Sequence, residues 1–168
     1  MKISTDMVKE LREQCGLGVM ECRNILLEVD GDIKKAVEVL KQKSLYTANK
    51  RRERVASQGL VEAYIHTRGR VGALVEVNCE TDFAAHTDEF KSLAHDLAMQ
   101  VAAMNPQFVS AEEAPEGADI ETQVACLLLQ PFIKNTDMTV QDIINETIAK
   151  VGENIRVSRF ARFEVGEQ

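Results

Sequence analysis

The spacing of apolar residues changes at about residue 57 from a period near 3.6 to a period of 2, and few features constrain a chain's architecture more. Before that point Val8 and Leu11, then Met20, Cys22, Ile25, Leu26 and Val29, then Ile33, Ala36, Val37 and Leu40 recur at helical intervals. Beyond it Val61, Ala63 and Ile65 alternate with Glu62, Tyr64 and His66. After Thr67-Arg68-Gly69 the alternation resumes through Val71, Ala73, Val75 and Val77. The spacing therefore predicts three short helices, then an antiparallel hairpin over 58–78 with one apolar face that needs a cover.

Punctuation residues fix the element ends. Ser4 or Thr5 caps the first helix and Gly16 ends it, Gly31 ends the second, and Asp32 caps the third. Phe90, Leu93, Ala94, Leu97 and Val101 form a covering helix that starts at a Thr87 or Asp88 cap and stops before Pro106. An acidic loop with Pro115 and Gly117 leads to a short helix bearing Ile120, Val124, Leu127 and Leu128, which Pro131 stops. Thr139 caps the last helix, with Val140, Ile143, Ile144, Ile148 and Val151 on its apolar side and Gly152 at its end. The terminal stretch RVSRFARFEV reads as a strand whose alternation slips near Ser158 and Arg159, so either a bulge or an exposed Phe160 is expected. The fold class is α+β: a three-helix module over 1–42, a basic helical linker over 43–56, and a core over 57–168 with three strands covered by helices.

Composition excludes several function classes. No run approaches the roughly 18 apolar residues of a membrane span, and the N-terminus lacks the apolar heart of an export signal, so a soluble cytoplasmic protein is expected. A net charge of −7 disfavours a dedicated nucleic-acid binder, although KRRER at 50–54 is locally basic. A linker joining two folded modules is the plainer account of that stretch. The four cysteines, 15, 22, 79 and 126, form no C-x-x-C pair and read as reduced thiols.

Candidate chemistry is sparse. Cys79 has Asp82, His86 and His95 nearby in sequence, the residue types of a thiol nucleophile, base and orienter, but an inert buried cysteine fits as well. Glu80, Asp82, Asp88 and Glu89 resemble a carboxylate cluster, yet acids at a helix start need no further role. Asn145-Glu146-Thr147 matches a glycosylation pattern only by accident. Neither a phosphate-binding loop nor a dinucleotide fingerprint is present. Two stretches resist a bland reading. Leu17, Val19 and Met20 surround a tight turn, either plugging the helical module or forming an exposed patch. Asp82-Phe83 sets a carboxylate beside a large ring just after the hairpin, where Phe83 is a lid over the sheet edge or a contact for something else.

Taken together, VKELREQCGLGVMEC (8–22), DGDIKKAVEVL (30–40), VEVNCETDFAA (75–85), QPFIKN (130–135) and RFARFEVGE (159–167) resemble the elongation factor Ts family. The resemblance spans nearly the whole chain in the family's order. It implies a ubiquitin-associated-like N-terminal module and an α+β core that grips the GTPase domain of elongation factor Tu and promotes release of GDP. It carries partner contact to Thr81, Asp82, Phe83 and Ala84, with Asp82-Phe83 wedged between the partner's helices near its magnesium site. In the N-terminal module it carries partner contact to Arg12, Leu17, Val19 and Met20. It implies no cofactor, no metal and no catalytic residue in this chain.

Departures from the family pattern are Ala84 in place of valine, His86 in place of a common lysine, and Val19 where methionine is frequent. The chain also lacks the second core half and coiled-coil excursion of longer members, and in short members two copies pair, so a homodimer is expected. The alternative reading is a ubiquitin-associated-type adaptor without exchange activity.

Overall fold

The computed structural model describes residues 3–15, 18–115 and 122–167. Three helices open the chain: α1 (Thr5–Cys15), α2 (Val19–Glu28) and α3 (Ile33–Arg51). They bury Val8, Leu11, Cys22, Ile25, Leu26, Ala36 and Leu40 against one another, which is the helical spacing turned into a small core. Ser4 Oγ accepts the Met7 amide and so caps α1, while Asp32 accepts the Lys35 amide at the start of α3. Gly31 stands at φ +83 and its amide donates to the Leu26 carbonyl, closing α2. Gly16, expected to close α1, lies outside the described residues.

Helix α3 runs into the basic stretch as far as Arg51, and three of the arginines there meet partners within the fold. Arg51 donates to the Ile148 carbonyl at 3.0 Å, Arg52 lies 3.8 Å from Glu112, and Arg54 lies 3.6 Å from Glu80.

The sheet has the order β1 (Gln58–Ile65), β2 (Val71–Cys79), β5 (Ile155–Glu164), antiparallel throughout, with β2 in the middle. Between β1 and β2, Arg68 and Gly69 both take positive φ. The irregularity expected in the last strand is a bulge. Val77 pairs with Val157 and Glu76 with Arg159, leaving Ser158 as the extra residue, its hydroxyl donating to Asn78. That insertion returns Phe160 to the core side, opposite Val75.

One face was misassigned from the alternation. In β2 the expected residues, Val71, Ala73, Val75 and Val77, do face the helices. In β1 the register sets Leu60, Glu62 and Tyr64 opposite Val77, Val75 and Ala73, so these three face inward. Val61, Ala63 and Ile65 point to the other side of the sheet and stay exposed. Both faces of β1 carry apolar residues, and its pairing partner decided between them.

The inner face is covered by α5 (Asp88–Met104) and α7 (Val140–Val151). Thr87 caps α5 by accepting the Phe90 amide, and Asn105, left-handed at φ 45, ends it before Pro106. Thr139 caps α7 in a reciprocal box with Asp142, and Gly152 at φ 85 closes it. The apolar run expected to make one short helix is broken into α6 (Thr122–Ala125) and a single turn at Leu127–Leu129. The amides of Gln107 and Phe108 donate to the Ala125 carbonyl, and Leu127 donates to Phe108, so that backbone pairs with a neighbouring segment. Ile120 and Gly117 lie outside the described residues. A two-stranded ribbon, β3 (Pro131–Phe132) and β4 (Asn135–Thr139), was not expected. It is anchored by two fully buried glutamines: Gln100 donates to Gln130 and accepts the Ile133 amide.

Candidate partner-binding site

Strand β2 ends at Cys79, and the chain turns through Glu80 and Thr81 into α4 (Asp82–Ala85), a single helical turn. Thr81 sets up that turn: its hydroxyl oxygen accepts the Ala84 amide at 3.4 Å. Ala84 and Ala85 are buried in the core cluster, pinning the inner side of the turn. With those methyls inside, the helical period directs Asp82 and Phe83 outward. Phe83 is 91% exposed, far more than a lid over a sheet edge would be. His86 Nδ1 lies 2.7 Å from the Asp82 carbonyl oxygen and 3.6 Å from its carboxylate, which closes the far side of the turn.

The turn is also held from across the fold. Glu153, just past the end of α7, accepts the Thr81 amide through Oε2 at 2.9 Å and the Thr81 hydroxyl through Oε1 at 2.6 Å. Reciprocally, Glu80 accepts the amide of Asn154 at 2.7 Å. The Asn154 side-chain amide in turn donates to the carbonyls of Arg52 and Arg54. None of this bracing is legible in the sequence, because its partners lie 72 to 102 residues apart.

The structure does not assemble a thiol nucleophile. Cys79 is fully buried and donates to the Thr81 carbonyl at 3.1 Å. Burial and the nearby Glu153 charge push its thiol above the ordinary range, which keeps it protonated at neutral pH. His86 instead bonds the Asp82 carbonyl, and His95 bonds Glu62 at 3.1 Å. The acids of this region do not converge either: among the described residues no group of three metal-ligating side chains is present.

In the helical module Val19 is 50% exposed and Met20 63% exposed at the start of α2, so neither plugs the bundle. Arg12 is exposed on α1. Leu17 lies outside the described residues.

An exposed aromatic on a braced turn and the exposed Val19 and Met20 on the helical module are the residues that the sequence singled out. Known proteins share much of this sequence. The model of the family described as Elongation factor TS matches residues 27–122, which include the whole Thr81–Ala85 stretch. The chain is 49% identical to elongation factor Ts of Carboxydothermus hydrogenoformans, over 98% of this chain and 90% of the relative.

The chain belongs to the elongation factor Ts family.

Elongation factor Ts of Moorella thermoacetica is 50% identical over 95% of this chain and 94% of its own. That of Thermotoga neapolitana is 45% identical over the full length of both. The latter alignment runs to 196 positions against 168 residues here, so 28 positions of the elongation factor Ts relative have no counterpart in this chain. The Arg12–Met20 patch falls outside the family-model match but inside the aligned span of the relatives.

Proposed function

We propose that this chain is a guanine-nucleotide exchange factor: it binds elongation factor Tu and speeds release of GDP during translation elongation, acting in the cytoplasm. The observation that carries the reading is Phe83, almost wholly exposed at the tip of a turn whose inner side is buried and whose cap is fixed. What sets Phe83 apart from other exposed apolar side chains is that its turn is held rigidly, capped at Thr81 and pinned by buried Ala84 and Ala85. Among the described residues no helix is long and apolar enough to cross a membrane.

The mechanism is linkage. A factor that binds nucleotide-free GTPase more tightly than the GDP form weakens GDP by the same ratio. Phe83, pushed between packed helices of the partner with Asp82 beside it, shifts the groups that hold magnesium and phosphate, because packed cores respond by discrete rearrangement. Burying one Phe contributes roughly 1.5–3 kcal/mol, and each tenfold loss of GDP affinity requires about 1.4 kcal/mol. The wedge alone therefore supplies one to two orders of magnitude, and the Arg12, Val19 and Met20 patch adds affinity without acting on the nucleotide.

The experiment is release of a fluorescent GDP from elongation factor Tu. Phe83→Ala and Asp82→Ala each slow the stimulated release, by about tenfold for Phe83, with circular dichroism unchanged. Wild-type release from the double variant rejects the wedge.

The active form is a homodimer joined through the open sheet face. That face presents Val61, Ile65, Leu74 and Phe163 to solvent, with the Arg159–Glu76 pair, 2.7 Å apart, as its one ion pair among the described residues. A second copy offers the matching apolar surface.

A further inference from the structure

We infer that Glu153 is a positioning residue for exchange: its carboxylate fixes the Thr81 hydroxyl and amide, and thereby the direction in which Phe83 projects. This rests on the wedge reading above and names a residue that the resemblance does not carry. Both carboxylate oxygens are committed to Thr81, at 2.9 and 2.6 Å, and among the described residues no cation pairs with Glu153. A carboxylate beside water that forgoes a salt bridge to hold one threonine acts on that threonine's geometry.

The geometry has a direction. Because the Thr81 hydroxyl donates its proton to Glu153, its oxygen is left to accept the Ala84 amide, and that bond starts the turn carrying Phe83. Glu153 is itself placed by Gly152, whose left-handed φ of 85 ends α7 and swings the chain toward β5. The neighbouring Asn154 is clamped to Glu80 and to the Arg52 and Arg54 carbonyls. The brace therefore runs from the end of α3 through the 152–154 corner to the wedge. A turn that must push into a packed partner works only if it does not yield, because backbone left loose has to be ordered on insertion.

Glutamine at 153 keeps the size but turns one acceptor into a donor, so the Thr81 amide and hydroxyl no longer each meet an accepting oxygen of their own. Stopped-flow release of fluorescent GDP from elongation factor Tu is followed with the full-length chain as wild type, E153Q, E153A, F83A and E153A/F83A. The expected result is a maximal release rate at saturating factor lowered by about tenfold in E153A and roughly threefold in E153Q. The concentration for half-maximal release changes less than about twofold, and the double variant is no slower than F83A, because Glu153 acts through the wedge. Rates that multiply in the double variant, or an unchanged maximal rate in E153A, overturn the inference. If E153A does not fold by circular dichroism, E153Q decides in the same way. F83A releasing GDP at the wild-type rate defeats the wedge reading itself, whereas a slow F83A beside a wild-type E153A and E153Q defeats the role of Glu153 alone.

Discussion

Glu146 lies on α7 where that helix faces α3, beside clefts lined by Lys41, Ser44 and Asn145. Burial raises its carboxyl above the ordinary value of 4.5, and the attraction of Lys150 and Lys41 only partly opposes this. The folded state therefore holds the proton to higher pH than the unfolded chain does. Stability falls as pH rises from 4.5 through the raised folded value, and at neutral pH the ionised group is a burden on the fold. Glu146→Gln is expected to raise the melting temperature at pH 7, and the gain disappears in acid, where wild-type Glu146 is already neutral. Thermal melts at pH 4 and pH 7 check this. At the same scale, Phe83 was recognisable as unusual from its neighbours in sequence. Glu153 was not, since it joins Thr81 only through the fold.

Among the elements, what was legible followed from local rules. Thr87, Thr139 and Asp32 cap the helices assigned to them because a cap needs only its own three following residues. The bulge at Ser158 was readable because Val157 and Phe160 cannot share a face without an inserted residue. The inward face of β1 was not, because register against β2 chose Leu60 and Tyr64 over Val61 and Ile65. The β3–β4 ribbon escaped because it is two and five residues long and depends on buried Gln100 for its anchor. The register has its own test at Gly59, which pairs with Asn78 at φ +144. A Cβ there would stand 2.1 Å from the Val77 carbonyl oxygen. Gly59→Ala is expected to cost about 2–4 kcal/mol, read from urea unfolding.

For the whole molecule, the helical module, the braced turn and the open sheet face are three surfaces with separate tasks. In the function proposed above, the first adds grip on the partner, the second acts on its nucleotide site, and the third joins two copies. Phe163 is 72% exposed on the open face, near the end of edge strand β5 and opposite Gly72. Phe163→Glu puts a charge where the second copy would sit, so light scattering is expected to give half the wild-type mass, with Phe83 untouched. Wild type already at monomer mass removes the dimer and leaves the wedge standing. The central claim is that this protein distinguishes a nucleotide-free GTPase from a GDP-filled one. Titration calorimetry of the wild-type chain against elongation factor Tu, stripped of nucleotide and then saturated with GDP, measures that directly. The expected result is binding at least about tenfold tighter to the stripped form, with GDP affinity weakened by the same factor in the reciprocal titration; equal affinity for the two forms would contradict it.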